Sequence, residues 1–223
     1  MKRLYLILLL TPLLGSIIIS EKPLEELVQL QDGKIMGVKN LESHIIAYKG
    51  IPFAAPPVGA LRWKAPQAVE PWEGVLNCNA FGPSPVQGKP APFMFWSEEF
   101  LIPEEPIGED CLYLNVWSGA KTPEEKRPVM VYNYGGVFLS GGSACAIYDG
   151  TSMASKGVVF VSINYRVGLF GFLAHPALSD ETDYGSSGNY GILDMIAALE
   201  WVQKNIAQFG GDPENVTIAG QSA

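Results

Sequence analysis

The chain has 223 residues, of which 48% are hydrophobic, 11% aromatic and 17% charged, and its apolar blocks are spread along its whole length. This composition is typical of a compact, core-forming protein and excludes a disordered or low-complexity one. The net charge of −8 at pH 7 argues against nucleic acid as a partner.

The first twenty residues have the pattern of a secretory signal peptide. Lys2 and Arg3 precede an apolar run over 4–19, with Ser16 and Ser20 as the two candidate cleavage positions. The alternative is an uncleaved anchor helix, although Pro12 interrupts the run and acidic residues follow it. We predict a signal peptide at 1–20, a secreted (extracellular) protein and no membrane span after signal cleavage.

The next part of the chain predicts the edge of a sheet. Short alternating segments at 34–39 and 44–48 predict a small N-terminal antiparallel hairpin. A Pro-rich surface stretch follows from 52 to 92. Residues 112–117 then alternate between polar and apolar, as a half-buried strand does.

The second half of the chain alternates strands and helices. Continuous apolar runs at 129–133 and 158–163 predict central strands covered on both faces. Apolar residues at spacings of three and four predict an amphipathic helix over 192–209, which the Gly210–Pro213 turn ends. A short apolar strand at 216–219 follows. This order predicts an α/β sheet within one domain, 21–223.

The strand at 216–219 leads directly into Gly220-Gln221-Ser222-Ala223, four of the five residues of a G-x-S-x-G nucleophile elbow. In such an elbow a serine hydroxyl stands clear of a sharp strand-to-helix turn, and its histidine base and acidic partner follow it in the chain. Because neither follows Ser222 here, we predict that the chain is the front portion of a serine hydrolase. On this view the fragment alone is inactive, and a partial gene product is the alternative.

Both histidines of the chain precede the serine. His175 has the wrong order for the catalytic base, and its loop setting favours a structural role. His44, on the N-terminal hairpin, is interpreted in the same way. No group of His, Cys or carboxylate residues has metal-ligand spacing, so we predict neither metal nor cofactor. The sequence does not indicate an oligomeric state.

Several blocks in a fixed order carry a family resemblance: Tyr48–Ala54, Pro56–Gly59, Leu61–Trp63, Glu109–Val116, Asn164–Gly168 and Phe209–Pro213. Through these blocks the chain resembles the type-B carboxylesterase and cholinesterase family from about Leu27 to its end. The Gln221-bearing elbow is similar to that of insect esterases, including juvenile-hormone-esterase-like ones. The resemblance implies an α/β-hydrolase fold and a secreted carboxylic-ester hydrolase that forms an acyl-enzyme on Ser222, with a Glu and a His from further along the chain. Its substrate would be a small-molecule carboxylic ester.

The resemblance also implies an oxyanion hole in the loop 134–138. Its donors would be the backbone N–H groups of Gly136, Val137 and Ala223. The family pattern has a third glycine where this chain has Val137, whose branched side chain is strained if φ there is positive. One interpretation is a narrowed acyl site that favours small or oddly shaped esters. The other is decayed catalysis, in a non-catalytic cholinesterase-like adhesion or binding protein.

Three cysteines in a secreted chain predict one disulfide and one remaining thiol, or a partner beyond this sequence. We predict that Cys78 and Cys111 close a loop across 81–110, although the family places the first cysteine nearer to Pro85, so that this pairing needs a shifted loop. Cys145 is interpreted as a small buried apolar residue. Asn215 begins the sole glycosylation sequon, a weak signal beside a buried strand.

Two charged pairs are assigned structural roles by the resemblance. Arg62 would pair with Glu109, and Arg166 with Asp194, which ties loops to the sheet. Glu109 and its acidic neighbour are therefore predicted to be scaffold residues and not a catalytic dyad. Trp96 is interpreted as a buried or lid aromatic, since its spacing does not fit the aromatic that cholinesterases place against quaternary ammonium groups.

Overall fold

The computed structural model describes residues 24–92 and 96–222, so the predicted signal peptide at 1–20 lies outside the described residues. The chain forms eleven strands and four α-helices in these ranges, together with short 3-10 turns. The strands are β1 Leu27–Gln29, β2 Lys34–Met36, β3 Val38–Lys39, β4 Ile46–Pro52, β5 Val75–Asn77, β6 Ser84–Pro85, β7 Ile107–Gly108, β8 Tyr113–Ser118, β9 Arg127–Asn133, β10 Val159–Ile163 and β11 Gly211–Gly220. The helices are α1 Thr151–Ser155, α2 Gly168–Phe172, α3 Pro176–Asp180 and α4 Tyr190–Asn205.

The main sheet has the strand order β11-β9-β10-β8-β4-β3. Strands β11, β9 and β10 run parallel, and β8, β4 and β3 continue the sheet in antiparallel fashion. Every residue of β10 is buried, as its continuous apolar run predicts for a strand covered on both faces. The central strand predicted at 158–163 is thus confirmed as covered on both faces. The strand predicted at 129–133 is central in the sheet, but only Val129 and Val131 of β9 are buried. The carboxyl ends of β9 and β11 meet at one edge of the sheet.

The predicted N-terminal hairpin is present, but its first arm is divided between two sheets. Strand β3 pairs with β4 in antiparallel fashion, whereas β2 turns away to pair with β1 and β5 in a separate three-stranded sheet. The break falls at Gly37, where a Cβ would approach Cδ1 of the Tyr48 ring to 2.6 Å. Only a residue without a side chain fits over this buried ring, so the 34–39 segment changes direction there.

Helix α4 confirms the predicted helix but not all of its predicted apolar face, since Ile192 and Ile196 are 37% and 47% exposed. It begins at Tyr190 and continues through a 3-10 turn to Phe209, and Gly210 then ends the turn with a left-handed φ of 76°. The buried side chains of α4 include Ala198, Trp201 and Val202, which belong to the main core. Strand β11 begins earlier than predicted, because Gly211 already pairs with β9 before a register shift that precedes the predicted segment.

The predicted disulfide between Cys78 and Cys111 is wrong in this structure, where both are free, buried thiols. The carbonyl oxygen of Cys78 accepts a bond from Lys49 N at 2.9 Å. The carbonyl oxygen of Leu112, the residue after Cys111, accepts a hydrogen bond from Phe53 N at 3.1 Å. Cys78 therefore lies beside Lys49 of β4, and Cys111 is next to the residue that binds Phe53, just after the same strand.

Cys145 is also free and buried, as its interpretation as a small apolar residue predicts. Its Sγ contacts the carbonyl oxygen of Phe100 at 3.2 Å. Burial raises the pKa of Cys145 to about 11 and that of Cys78 to about 12. Both groups are therefore protonated, unreactive thiols at neutral pH.

Asn215 lies in β11 with an exposed side chain, and its glycosylation stays a prediction. No helix in 24–92 or 96–222 has both the length and the apolar character needed to cross a membrane.

Candidate active site

Ser222 lies directly after the carboxyl end of β11, in the turn that the sequence predicts. Gly220 pairs with Asn133 of the parallel strand β9, and Gln221 N donates to the Asn133 carbonyl oxygen at 3.3 Å. The backbone then turns sharply, because Ser222 has a φ of +58° and its side chain is exposed. A non-glycine residue in this region costs about 1–3 kcal/mol and persists only where the surroundings impose it. This is the geometry of a nucleophile elbow.

The glycine-rich loop that follows β9 packs against this elbow. A Cβ on Gly135 would overlap the carbonyl oxygen of Gln221 and would lie 2.9 Å from Cβ of Ser222. Gly136 has a φ of +145°, and a Cβ there would overlap the carbonyl oxygen of Ser140. The close approach of loop and elbow therefore requires Gly135, and the tight fold of the loop on itself requires Gly136.

The loop supplies two of the three predicted oxyanion donors. Gly136 and Val137 lie in it, whereas Ala223 lies outside the described residues. Val137 and Phe138 both have a φ of +58°, so the condition under which valine is strained is met. The Val137 side chain is 68% exposed, which shows that it projects from the loop and does not separate its two limbs. The donor roles of these N–H groups stay predictions.

A pair of tyrosines fixes the base of the loop. The rings of Tyr134 and Tyr165 stack with centroids 4.2 Å apart. Each hydroxyl donates to the backbone carbonyl oxygen of the other residue at 2.7 Å. Burial raises the pKa of both hydroxyls, so both keep their protons as donors at neutral pH. The sequence contains both residues, but no spacing rule predicts this reciprocal pair.

A groove opens beside the loop, with a volume of about 360 Å³. Val137 lines it together with the aromatic side chains of Trp96 and Phe100. Trp96 is half-buried, and its ring lies 5.2 Å from that of Phe100. The lid role of Trp96 stays a prediction. A largely apolar groove bordered by the glycine-rich loop is suited to holding an uncharged organic group.

The chain matches the model of the carboxylesterase family over residues 24–223. The chain belongs to the carboxylesterase family. It is 48% identical over 195 residues to the fumonisin B1 esterase of Sphingopyxis macrogoltabida, covering 86% of this chain and 34% of that protein. It is 40% identical over 200 residues to the acetylcholinesterase of Bungarus fasciatus, covering 88% and 32%. With the para-nitrobenzyl esterase of Bacillus subtilis (strain 168) the identity is 42% over 199 residues, covering 89% and 38%.

Solved structures place this carboxylesterase-family chain in the front part of an α/β-hydrolase fold. The carboxylesterase of Geobacillus stearothermophilus superposes with a TM-score of 0.74 at 42% identity, covering 88% of this chain and 38% of that one. A PNB esterase superposes with a TM-score of 0.77 at 41% identity, covering 89% and 39%. The chain thus spans about a third of the length of the relatives it matches. The predicted fold class is confirmed.

The two predicted ion pairs of the carboxylesterase-family chain are confirmed. Arg62 Nε and Nη2 bind the Glu109 carboxylate at 2.5 and 2.6 Å. The hydrogen bonds from Arg62 lower the pKa of Glu109. Arg166 Nε and Nη2 bind the buried Asp194 carboxylate at 2.9 and 2.7 Å. The second pair joins the residues after β10 to α4, behind the loop and the elbow.

His175 has a local structural role, as predicted, whereas a structural role of the His44 side chain stays a prediction. His175 caps α3, because its Nδ1 accepts a bond from Ala177 N at 3.2 Å. His44 lies in the exposed turn between β3 and β4, with a φ of +58°. In the part of the chain that the structure describes, no histidine or carboxylate is hydrogen-bonded to Ser222, and no cluster of three metal-ligating side chains is present.

We predict that Gly135→Ala lowers kcat/KM for a small ester by about 100-fold or more, since misplacing a catalytic group by about 1 Å has an effect of this size. The added Cβ must push the loop away from Gln221 and Ser222. The measurement is steady-state hydrolysis of p-nitrophenyl acetate by the protein expressed from its complete open reading frame. Gly108→Ala is the matched control, because a Cβ at Gly108 meets no atom nearer than 4.0 Å. Equal activities of the two variants would contradict the close packing described here.

Proposed function

We propose that Ser222 is the nucleophile of a secreted carboxylic-ester hydrolase. The observation that carries this proposal is the exposed serine at a φ of +58°, with Gly135 packed directly against its Cβ. The strained backbone at Ser222 exposes its hydroxyl beside a loop of backbone N–H groups. This arrangement is suited to acyl transfer and adds nothing to the packing of the core. The catalytic Glu and His would come from residues after Ala223.

The proposed reaction has two steps. The Ser222 oxygen attacks the ester carbonyl carbon while its proton passes to the histidine, and collapse of the tetrahedral intermediate releases the alcohol with that proton. Water then attacks the acyl carbon and gives a proton to the histidine, after which the free acid leaves and the Ser222 hydroxyl is restored. Each of the two steps passes through a tetrahedral intermediate, and the N–H groups of Gly136 and Val137 would stabilise the oxyanion of both.

The substrate is proposed only as a class, a small-molecule carboxylic ester. The names of the relatives share ester hydrolysis and differ in the ester, from fumonisin B1 to para-nitrobenzyl compounds. Val137 adds a branched side chain at the edge of the groove, which favours a small acyl group. The similarity of the Gln221-bearing elbow to insect juvenile-hormone-esterase-like enzymes stays a prediction.

Covalent labelling tests the proposed nucleophile. The protein expressed from its complete open reading frame should react with an organophosphate, and peptide mass spectrometry should locate the phosphoryl group on Ser222. Heat-denatured protein is the control and should not be labelled, because an unfolded serine has no activating base. A native protein that neither accepts the label nor hydrolyses p-nitrophenyl esters would refute the hydrolase and favour the non-catalytic binding protein.

A further inference from the structure

Gln87 binds the returning limb of the glycine-rich loop with both ends of its amide. Its Nε2 donates to the carbonyl oxygen of Gly141 at 2.7 Å, and its Oε1 accepts from Gly141 N at 2.8 Å. A further bond from Nε2 to the Pro85 carbonyl oxygen, at 2.9 Å, fixes the side chain itself. The amide thus binds both the N–H and the carbonyl oxygen of one residue, as a neighbouring strand would, and reversing it would break both bonds to Gly141.

The segment that carries Gln87 is anchored independently of the loop. Strand β6 pairs with β7, and Ser84 N donates to the Pro106 carbonyl oxygen at 2.9 Å. Asn164, at the end of β10, donates its Nδ2 to the carbonyl oxygen of Pro83 at 3.0 Å. Gln87 therefore projects from a fixed support, and its bonds restrain the loop to which they run.

Short contacts continue from Gly141 to the nucleophile. A Cβ on Gly141 would lie 2.5 Å from the carbonyl oxygen of Gly135, so the two limbs of the loop touch at this level. Gly135 in turn lies against Ser222, because a Cβ added to Gly135 would be 2.9 Å from the Cβ of Ser222. The tip that joins the two limbs contains Val137 and Phe138, whose positive φ angles persist only where neighbouring groups hold them.

We propose that Gln87 is a positioning residue, which holds the loop so that the N–H groups of Gly136 and Val137 face the carbonyl oxygen of the ester that Ser222 attacks. This inference rests on the proposed function. It assigns Gln87 no contact with the reacting atoms. Its effect passes through Gly141 and Gly135, and it should therefore act on the stabilisation of the oxyanion and not on the binding of the uncharged ester.

The test compares Gln87→Met with Gln67→Met in the protein expressed from its complete open reading frame. Methionine keeps the length of the side chain and removes all three bonds. Gln67 is the matched control, because its Nε2 donates to Ala65 O at 2.9 Å, away from the loop. For p-nitrophenyl acetate we expect Gln87→Met to lower kcat by about 10- to 100-fold with KM within about twofold, and Gln67→Met to change neither. The inhibition constant of a trifluoromethyl ketone, which forms a tetrahedral adduct with serine, should rise in parallel.

If Gln87→Met leaves kcat unchanged, or changes KM alone, the positioning role of Gln87 is overturned. Turnover by the wild-type protein in the same assay would still support the proposed hydrolase. Amide hydrogen exchange over 135–141 provides a readout that does not need activity. Exchange should be faster in Gln87→Met than in Gln67→Met, and equal rates would overturn the inference even if the wild type hydrolysed no ester.

Gln87→Glu is the second variant. It keeps the acceptor for Gly141 N but faces the Gly141 and Pro85 oxygens without a donor, and so should change kcat and exchange in the same direction.

Discussion

Replacing Ser222 by alanine is expected to lower ester turnover by about 10⁴-fold or more, since loss of a serine nucleophile removes the acyl-enzyme route altogether. Alanine meets the same backbone requirement as serine at a φ of +58°, and the exposed side chain has no packing to lose. The variant should therefore keep the melting temperature of the wild type. The measurement is hydrolysis of p-nitrophenyl acetate together with organophosphate labelling.

The control for Ser222→Ala is Ser155→Ala. Ser155 is also exposed, and its Oγ makes a local bond to the Ser152 carbonyl oxygen at 2.8 Å. It should retain wild-type turnover and labelling. Ester hydrolysis by purified Ser222→Ala at the wild-type rate would exclude Ser222 as the nucleophile.

Replacing Asp194 by alanine is expected to lower the free energy of unfolding by about 3–5 kcal/mol, because it leaves a buried charge without its partner. The side chains of Asp194 and Arg166 are 0% and 3% exposed. Burial raises the pKa of the Asp194 carboxyl, and the bonds from Arg166 oppose that rise. After the substitution Arg166 would keep its bond to the Lys64 carbonyl oxygen, at 2.9 Å, but its Nε, Nη2 and backbone N would lose all three bonds to the carboxylate. For a domain of this size the loss corresponds to a fall of about 6–20 °C in Tm.

Two further variants separate the charge from the packing around Asp194. Arg166→Met combined with Asp194→Leu removes both charges and should be less destabilised than Asp194→Ala. Glu104→Ala breaks the exposed pair with Lys89 and should leave Tm unchanged. Equal Tm values for Asp194→Ala and Glu104→Ala would show that the buried pair does not stabilise the fold.

The sequence predicts the parts of this fold that depend on local patterns. The apolar run of β10, the spacing of three and four in α4 and the position of the elbow after β11 are all found in the structure. Family resemblance correctly assigned the Arg62–Glu109 and Arg166–Asp194 pairs. Each of these signals is carried by residue type at a fixed spacing.

The sequence does not predict features that depend on where distant segments meet. Cysteine counting paired Cys78 with Cys111, but these residues lie beside different parts of β4. The bonds between Gln87 and Gly141 were also missed, because a glutamine in a Pro-rich stretch has no periodic signal that would identify its partner. In both cases the answer depends on tertiary geometry.

The parallel pairing of β9 with β11 has a consequence for how the chain reaches its native state. Val129 pairs with Val216, while β10, much closer in the chain, occupies the other side of β9. Because the entropy of loop closure must be lost before distant contacts form, pairs of high sequence separation form late. The β9–β10 pair is thus expected to precede the β9–β11 pair. Ser222 and the glycine-rich loop come together only when β11 pairs with β9. The reactivity of Ser222 should therefore appear late during refolding.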